Sequence, residues 1–247
     1  MRHENVEKNI GLMTVLVLIV ISIGGLVEIV PLFYIDDTLE KVKSVRPFTP
    51  LEQRGRDIYV KEGCYTCHSQ QVRPFRDEQI RYGHYSLAAE SKYSHPFQWG
   101  SKRTGPDLAR LGGKYSNEWH VQHMIAPRSV VPESVMPNYP HLMETKLETS
   151  QLEDRLRTLR TVGVPYTVEK GEQYQQNVEQ WGEDVAEKLR IPNAQEALRA
   201  EGKAGNFDGE PDRLTEMDAL VAYLQVLGTM VDFSEYSEPE QGRARGF

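Results

Sequence analysis

Cysteine is nearly absent from this 247-residue chain, which has two. Two thiols exclude a disulfide-stapled secreted scaffold, and they exclude a four-cysteine zinc ribbon or iron–sulfur cluster. An excess of cation is absent too: 29 Lys and Arg stand against 36 Asp and Glu, for a net charge of −7. That balance argues against general nucleic-acid binding, which needs cations to neutralise phosphates. There is no internal repeat, and no stretch reads as a parallel sheet. Hydrophobic residues make up a modest 39%, but they are unevenly spread. The length suits one domain with appendages and supports a full core.

Most of the unevenness lies between Ile10 and Ile35, IGLMTVLVLIVISIGGLVEIVPLFYI, where Glu28 is the only charge. As a helix this run is roughly 39 Å long, enough to cross a hydrocarbon layer of about 30 Å. A cleaved signal peptide fits less well. The run far exceeds a signal peptide's apolar segment, and no small-x-small cleavage site precedes Asp36-Asp37-Thr38. The expectation is a retained single-span anchor at 10–35 with residues 1–9 before it. Flanking charge does not orient the span, because Arg2 and Lys8 precede it while Lys41, Lys43 and Arg46 follow. Glu28 faces either a partner helix, which Gly24-Gly25 would let approach closely, or the lipid headgroups.

Residues 36–48 read as a charged linker, and the rest as helical. Thr49-Pro50-Leu51-Glu52 is a capping box with proline at the first helical position; the helix it opens carries Leu51, Gly55, Ile58 and Tyr59 on one face and stops near Gly63. Thr215-Glu216-Met217-Asp218 caps a final helix with Leu220, Tyr223, Leu224 and Leu227 at helical spacing and Gly228 as its stop. Between them, a helix opening at Ser150 carries Leu152, Leu156 and Leu159. A second stripe runs through Tyr174, Val178, Trp181, Val185 and Leu189, and both stripes are expected to be packing faces. Residues 202–213 read as a loop and 229–247 as a mobile polar tail.

Both cysteines fall in Cys64-Tyr65-Thr66-Cys67-His68, the C-x-x-C-H spacing of c-type haem attachment. Two thiols one turn apart can each bond a haem vinyl group, and the adjacent His68 is then placed as proximal iron ligand. A redox dithiol or half a zinc site would not need that histidine. A single motif implies one covalently bound haem c. The distal ligand candidates after the motif are Met124, Met136, Met143, Met217 and Met230. Met136 is preferred because Val135-Met136-Pro137-Asn138-Tyr139-Pro140 is a proline-stiffened loop able to hold a thioether at a fixed distance. A bis-histidine site using His120 or His123 is the alternative. In Gly105-Pro106-Asp107-Leu108, the Pro106 carbonyl is rigidly aimed and could accept the Nδ1–H of His68. Arg73, Arg76, Arg110, Lys114, Tyr115 and Trp119 lie near enough in sequence to be propionate partners.

In order, the capped helix with Gly55 and Tyr59, CYTCH, GPDL, MPNYP and the terminal ALVAYL helix resemble a class I cytochrome c domain. The resemblance implies that the first and last helices cross at Gly55, Tyr59, Leu220 and Tyr223, with Met136 distal to the iron and the Pro106 carbonyl partnering His68. Residues 63–142 together with the anchor resemble, more closely, the monohaem subunit (subunit II, CcoO/FixO family) of cbb(3)-type cytochrome c oxidase. The fold class expected is therefore all-α: one transmembrane helix and a class I cytochrome c domain over 49–228, with an insertion at about 143–213.

That family implies electron transfer from a dihaem cytochrome c subunit, fed by soluble cytochrome c, to the haem–copper catalytic subunit of an oxygen-reducing terminal oxidase. It also implies the bacterial inner membrane, with the haem domain periplasmic and the N-terminus cytoplasmic. The long 69–104 stretch is expected to dock on the catalytic subunit. About −6 of the net charge lies beyond Ile35, which suits a positively charged partner. The rivals are the cytochrome subunit of a nitric oxide reductase, an open-site haem enzyme or sensor, and a structural assembly subunit.

Overall fold

A computed structural model of the chain describes residues 3–35, 39–40, 42–100 and 102–233. They form two compact units, divided between Lys41 and Val42. In the first unit, α1 (Ile10–Ile29) starts where the Asn9 side chain accepts the Leu12 N–H at 3.1 Å. It runs into a 3₁₀ turn at Val30–Phe33. Helical structure thus ends at Phe33, just short of the apolar run's end at Ile35. None of the residues of α1 is buried. The segment Ile10–Leu32 has a mean hydropathy of 2.7 and is long and apolar enough to cross a membrane. Gly24 and Gly25 face open space, and Glu28 is exposed.

The second unit is all helical; among the described residues the only β pairings are the isolated bridges Lys146 to Thr215 and Thr167 to Arg190. Its α-helices of six or more residues are α2 (Pro50–Lys61), α3 (Arg76–Tyr82), α4 (Asn117–Ile125), α5 (Leu152–Thr161), α6 (Glu172–Trp181), α7 (Glu183–Lys188), α8 (Ala194–Gly205) and α9 (Glu216–Val226). The frame is the crossing of α2 and α9. A Cβ on Gly55 would lie 1.8 Å from the Ala219 carbonyl oxygen, so only glycine permits this approach. Around it Tyr59 and Tyr223 pack ring to ring at 5.6 Å, with Phe48 edge-on to Tyr223 at 5.5 Å. Leu220 is buried beside them. Both predicted caps form: Glu52 accepts the Thr49 N–H at 2.8 Å and Asp218 the Thr215 N–H at 2.9 Å. Lys61 and Glu216 join the end of α2 to the start of α9 at 3.0 Å.

Four boundaries differ from the sequence reading. The linker expected over 36–48 gives way to packed chain from Val42 on: Val45 and Phe48 are buried, and the Lys43 carbonyl accepts from Gln180 and Trp181. The tail expected from 229 stays packed through Phe233, with Val231 buried and Phe233 stacked on His84 at 4.4 Å. Residues 36–38, 41 and 234–247 of those two calls lie outside the described residues. The stripe from Tyr174 to Leu189 is not one helix, because Gly182, at φ +86°, breaks it into α6 and α7. The loop expected over 202–213 begins at Asn206, since α8 continues through Gly202, where a Cβ would meet Leu214 Cδ1 at 2.2 Å.

The segment at 143–213, expected as an insertion, contributes to the core. Leu152, Leu156, Leu159, Leu189, Ile191, Ala194 and Leu198 join the same buried cluster as the α2–α9 crossing. Tyr166 reaches across to donate to the Phe48 carbonyl at 2.7 Å. Residues 69–104 also fold against the domain. Val72 and Leu87 are buried, and Arg110 holds the stretch by pairing with Glu90 and donating to the carbonyls of His84 and Tyr85.

Candidate haem site

After α2 the chain turns at Gly63, which sits at φ +71°, and Cys64–Thr66 form a 3₁₀ turn. The His68 N–H closes on the Cys64 carbonyl at 2.9 Å. Cys64 is partly buried and Cys67 exposed, both as free thiols. Burial, and then the Glu62 charge, push the Cys64 thiol up to about 12. A redox dithiol needs the opposite, a stabilised thiolate. No cluster of three or more His, Cys, Asp or Glu arranged to hold a metal ion occurs among the described residues.

His68 Nδ1 lies 2.8 Å from the Pro106 carbonyl oxygen. A carbonyl can only accept, so Nδ1 carries the proton and Nε2 keeps its lone pair for a metal. Gly105 lets this happen: a Cβ there would fall 2.3 Å from His68 Cε1. The two segments are then laced together. Gly105 N–H donates to the Cys67 carbonyl and Leu108 N–H to the Ser69 carbonyl, each at 2.9 Å. Buried Asp107 accepts from Ser69 Oγ at 2.5 Å, Gln71 N–H at 2.9 Å and Ala109 N–H at 2.8 Å. Arg103 extends the lacing, with Nε on Ser69 Oγ at 2.7 Å and a terminal nitrogen on buried Glu78 at 2.6 Å. Arg103, together with Arg73, holds the Glu78 carboxyl down to about 2.

Met136 is half-buried against the core, with its N–H on Ser134 Oγ at 3.2 Å. The loop is tied by the Tyr139 N–H to the Met124 carbonyl at 2.7 Å. Burial raises the Tyr139 pKa first, and the neighbouring Cys64 and Cys67 raise it further, so this loop borders the thiols. Met124 and Met217 are buried in the core, while Met143 and Met230 pack at its edge. Of the candidate propionate partners, Arg73 pairs with Glu78 and Arg110 with Glu90. Tyr115 and Trp119 stack on each other at 4.0 Å, and Arg76 and Lys114 are exposed.

Three buried polar atoms here have no protein partner: Tyr59 Oη, His120 Nε2 and His123 Nδ1. Buried polar atoms are ordinarily completed by protein, by water or by a bound group. With paired thiols, an oriented imidazole and a thioether loop, they fit a haem. Sequence reasoning singled out His68 and Pro106, whose hydrogen bond is present, but missed Gly105 as a steric requirement and the Ser69–Asp107–Arg103–Glu78 lacing. The aspartate inside GPDL was the available signal.

Residues 3–231 match the family described as cytochrome C oxidase, mono-heme subunit/FixO. No curated protein matches the chain. With the match covering nearly all of its length, the chain belongs to the mono-haem cytochrome c oxidase subunit (FixO) family.

Proposed function

We propose that this oxidase subunit is a membrane-anchored one-electron carrier whose haem is covalently held by Cys64 and Cys67. His68 Nε2 and the Met136 thioether would hold its iron. The observation that carries the reading is the His68–Pro106 hydrogen bond, made possible by Gly105. When bound, the haem supplies reversible one-electron chemistry at its iron. The Pro106 carbonyl fixes the His68 tautomer and raises its basicity. Met136 would deny that iron to exogenous ligands.

The electron enters from a dihaem cytochrome c subunit, itself fed by soluble cytochrome c, and leaves to the haem–copper catalytic subunit of a cbb(3)-type oxidase. The chain adds no proton or bond to the exchange. Haem attachment to this motif takes place outside the bacterial inner membrane, so the domain is periplasmic and the segment before α1 cytoplasmic. Residues 69–104 carry exposed Phe75, Ile80 and Trp99 and dock on the catalytic subunit.

Purification in mild detergent with subunit and metal analysis tests this. Co-purification of a haem–copper subunit and a dihaem cytochrome is expected. A copper-free haem–iron partner would replace the reading with a nitric oxide reductase, and stoichiometric carbon monoxide binding to the reduced chain would replace it with an open-site haem protein.

A further inference from the structure

Helix α4 presents two imidazoles with unpartnered buried ring nitrogens, and they are not equivalent. His120 is 1% exposed and sits edge-on to Trp119 at 5.5 Å. His123 lies flat on Trp119 at 4.6 Å with 10° between the planes, and Trp119 lies flat on Tyr115 at 4.0 Å. The spacing of four residues along the helix brings Trp119 and His123 together, and Tyr115, just before the helix, stacks on the other face of the column. That column fixes the plane of the His123 ring. The residue after it, Met124, accepts the Tyr139 N–H, so this end of α4 is tied to the Met136 loop. Burial, and then the charge of His68, lower the His123 pKa. In either charge state the imidazole has an N–H to donate.

A haem attached through both vinyl groups offers two propionates as its hydrogen-bonding groups. Of the arginines near the motif, Arg73 is paired with Glu78 and Arg110 with Glu90, while Arg76 is exposed. We propose that His123 Nδ1–H donates to a haem propionate, with Trp119 and Tyr115 holding the ring in place. This rests on the reading that the haem is attached at Cys64 and Cys67. The bond offsets part of a negative charge that otherwise favours the oxidised iron.

The test is potentiometric titration of the purified full-length protein, unmutated and as His123→Leu and His123→Gln. The leucine variant is expected to shift the reduction equilibrium about tenfold toward the oxidised form, about 59 mV for one electron. Its low-spin spectrum stays unchanged, and glutamine, which keeps a donor, restores most of the shift. A leucine variant with the unmutated potential overturns the proposal, as does one that loses its low-spin spectrum, which would make His123 an axial ligand. If the leucine variant takes up no haem, NMR of the unmutated protein decides. A His123 ring proton slow to exchange supports the bond, and fast exchange overturns it. Unmutated protein without covalent haem fails the parent reading, whereas haem-bearing protein with an unshifted leucine variant fails this inference alone.

Discussion

The two segments that approach the CYTCH motif are held in opposite ways. Residues 105–108 are bound to the motif and the residues just after it by two backbone hydrogen bonds, by the two bonds Asp107 accepts from Ser69 and Gln71, and by the His68 ring itself. The loop at 134–140 is tied by Tyr139 to Met124, by Met136 to Ser134 and by Arg128 to the Ser134 carbonyl at 3.0 Å, and Val135 stands 74% exposed. The His68 side is thus set by many of the chain's own hydrogen bonds, whereas the Met136 loop is held by few. The proposed carrier would gain from a fixed His68 ring, because the partner of Nδ1 sets the orientation and basicity of the imidazole.

Gly105→Ala should break this contrast most severely. Its Cβ collides with the His68 ring, so the imidazole must leave the Pro106 carbonyl. Oxidase turnover should fall on the order of 10–100-fold, the usual cost of losing a metal ligand's orienting partner, with spectra showing a changed proximal ligand. Met136→Ala should leave haem attachment intact but open the sixth position. The Met–iron band is lost, the potential drops, and the reduced haem binds one carbon monoxide. A variant that keeps the band would move the distal role to another residue.

Glu78→Gln sharpens the comparison at smaller cost. Arg103 and Arg73 lower its carboxyl from 4.5 to about 2. The ionised form is therefore favoured on folding, and its stabilisation is complete above about pH 4.5 and lost as pH falls through about 2. The variant should lose about 2–3 kcal/mol at neutral pH. Melting curves across pH should show the gap to the unmutated protein closing between those two values; a gap independent of pH would mean that the ion pair does not contribute.

Legibility in the sequence followed the range of the interactions. The capping boxes, Gly55 and the C-x-x-C-H run are local or strongly patterned, and they placed α2, α9 and the motif within a residue or two. The Pro106 carbonyl was also locatable, because proline aims it. Hidden were features that depend on distant partners. Gly202 keeps α8 going because Leu214 lies against it, and nothing in AEGKAG announces that. Val42 to Phe48 look like linker until Trp181 and Tyr166 reach across to their carbonyls. Glu78 and Arg103 lie 25 residues apart, with no shared motif to mark them as partners. Apolarity also misleads about burial. In α1 no residue is buried, while in α9, which contains Glu216 and Asp218, ten of eleven are.

The most direct test of the central claim is the mass of the intact protein, followed by that of the peptide containing residues 64–68, after denaturation in the presence of a reductant. The account predicts one haem per chain, retained through denaturation and localised to Cys64 and Cys67. An intact protein at apo mass, with both thiols free to alkylate, would contradict it.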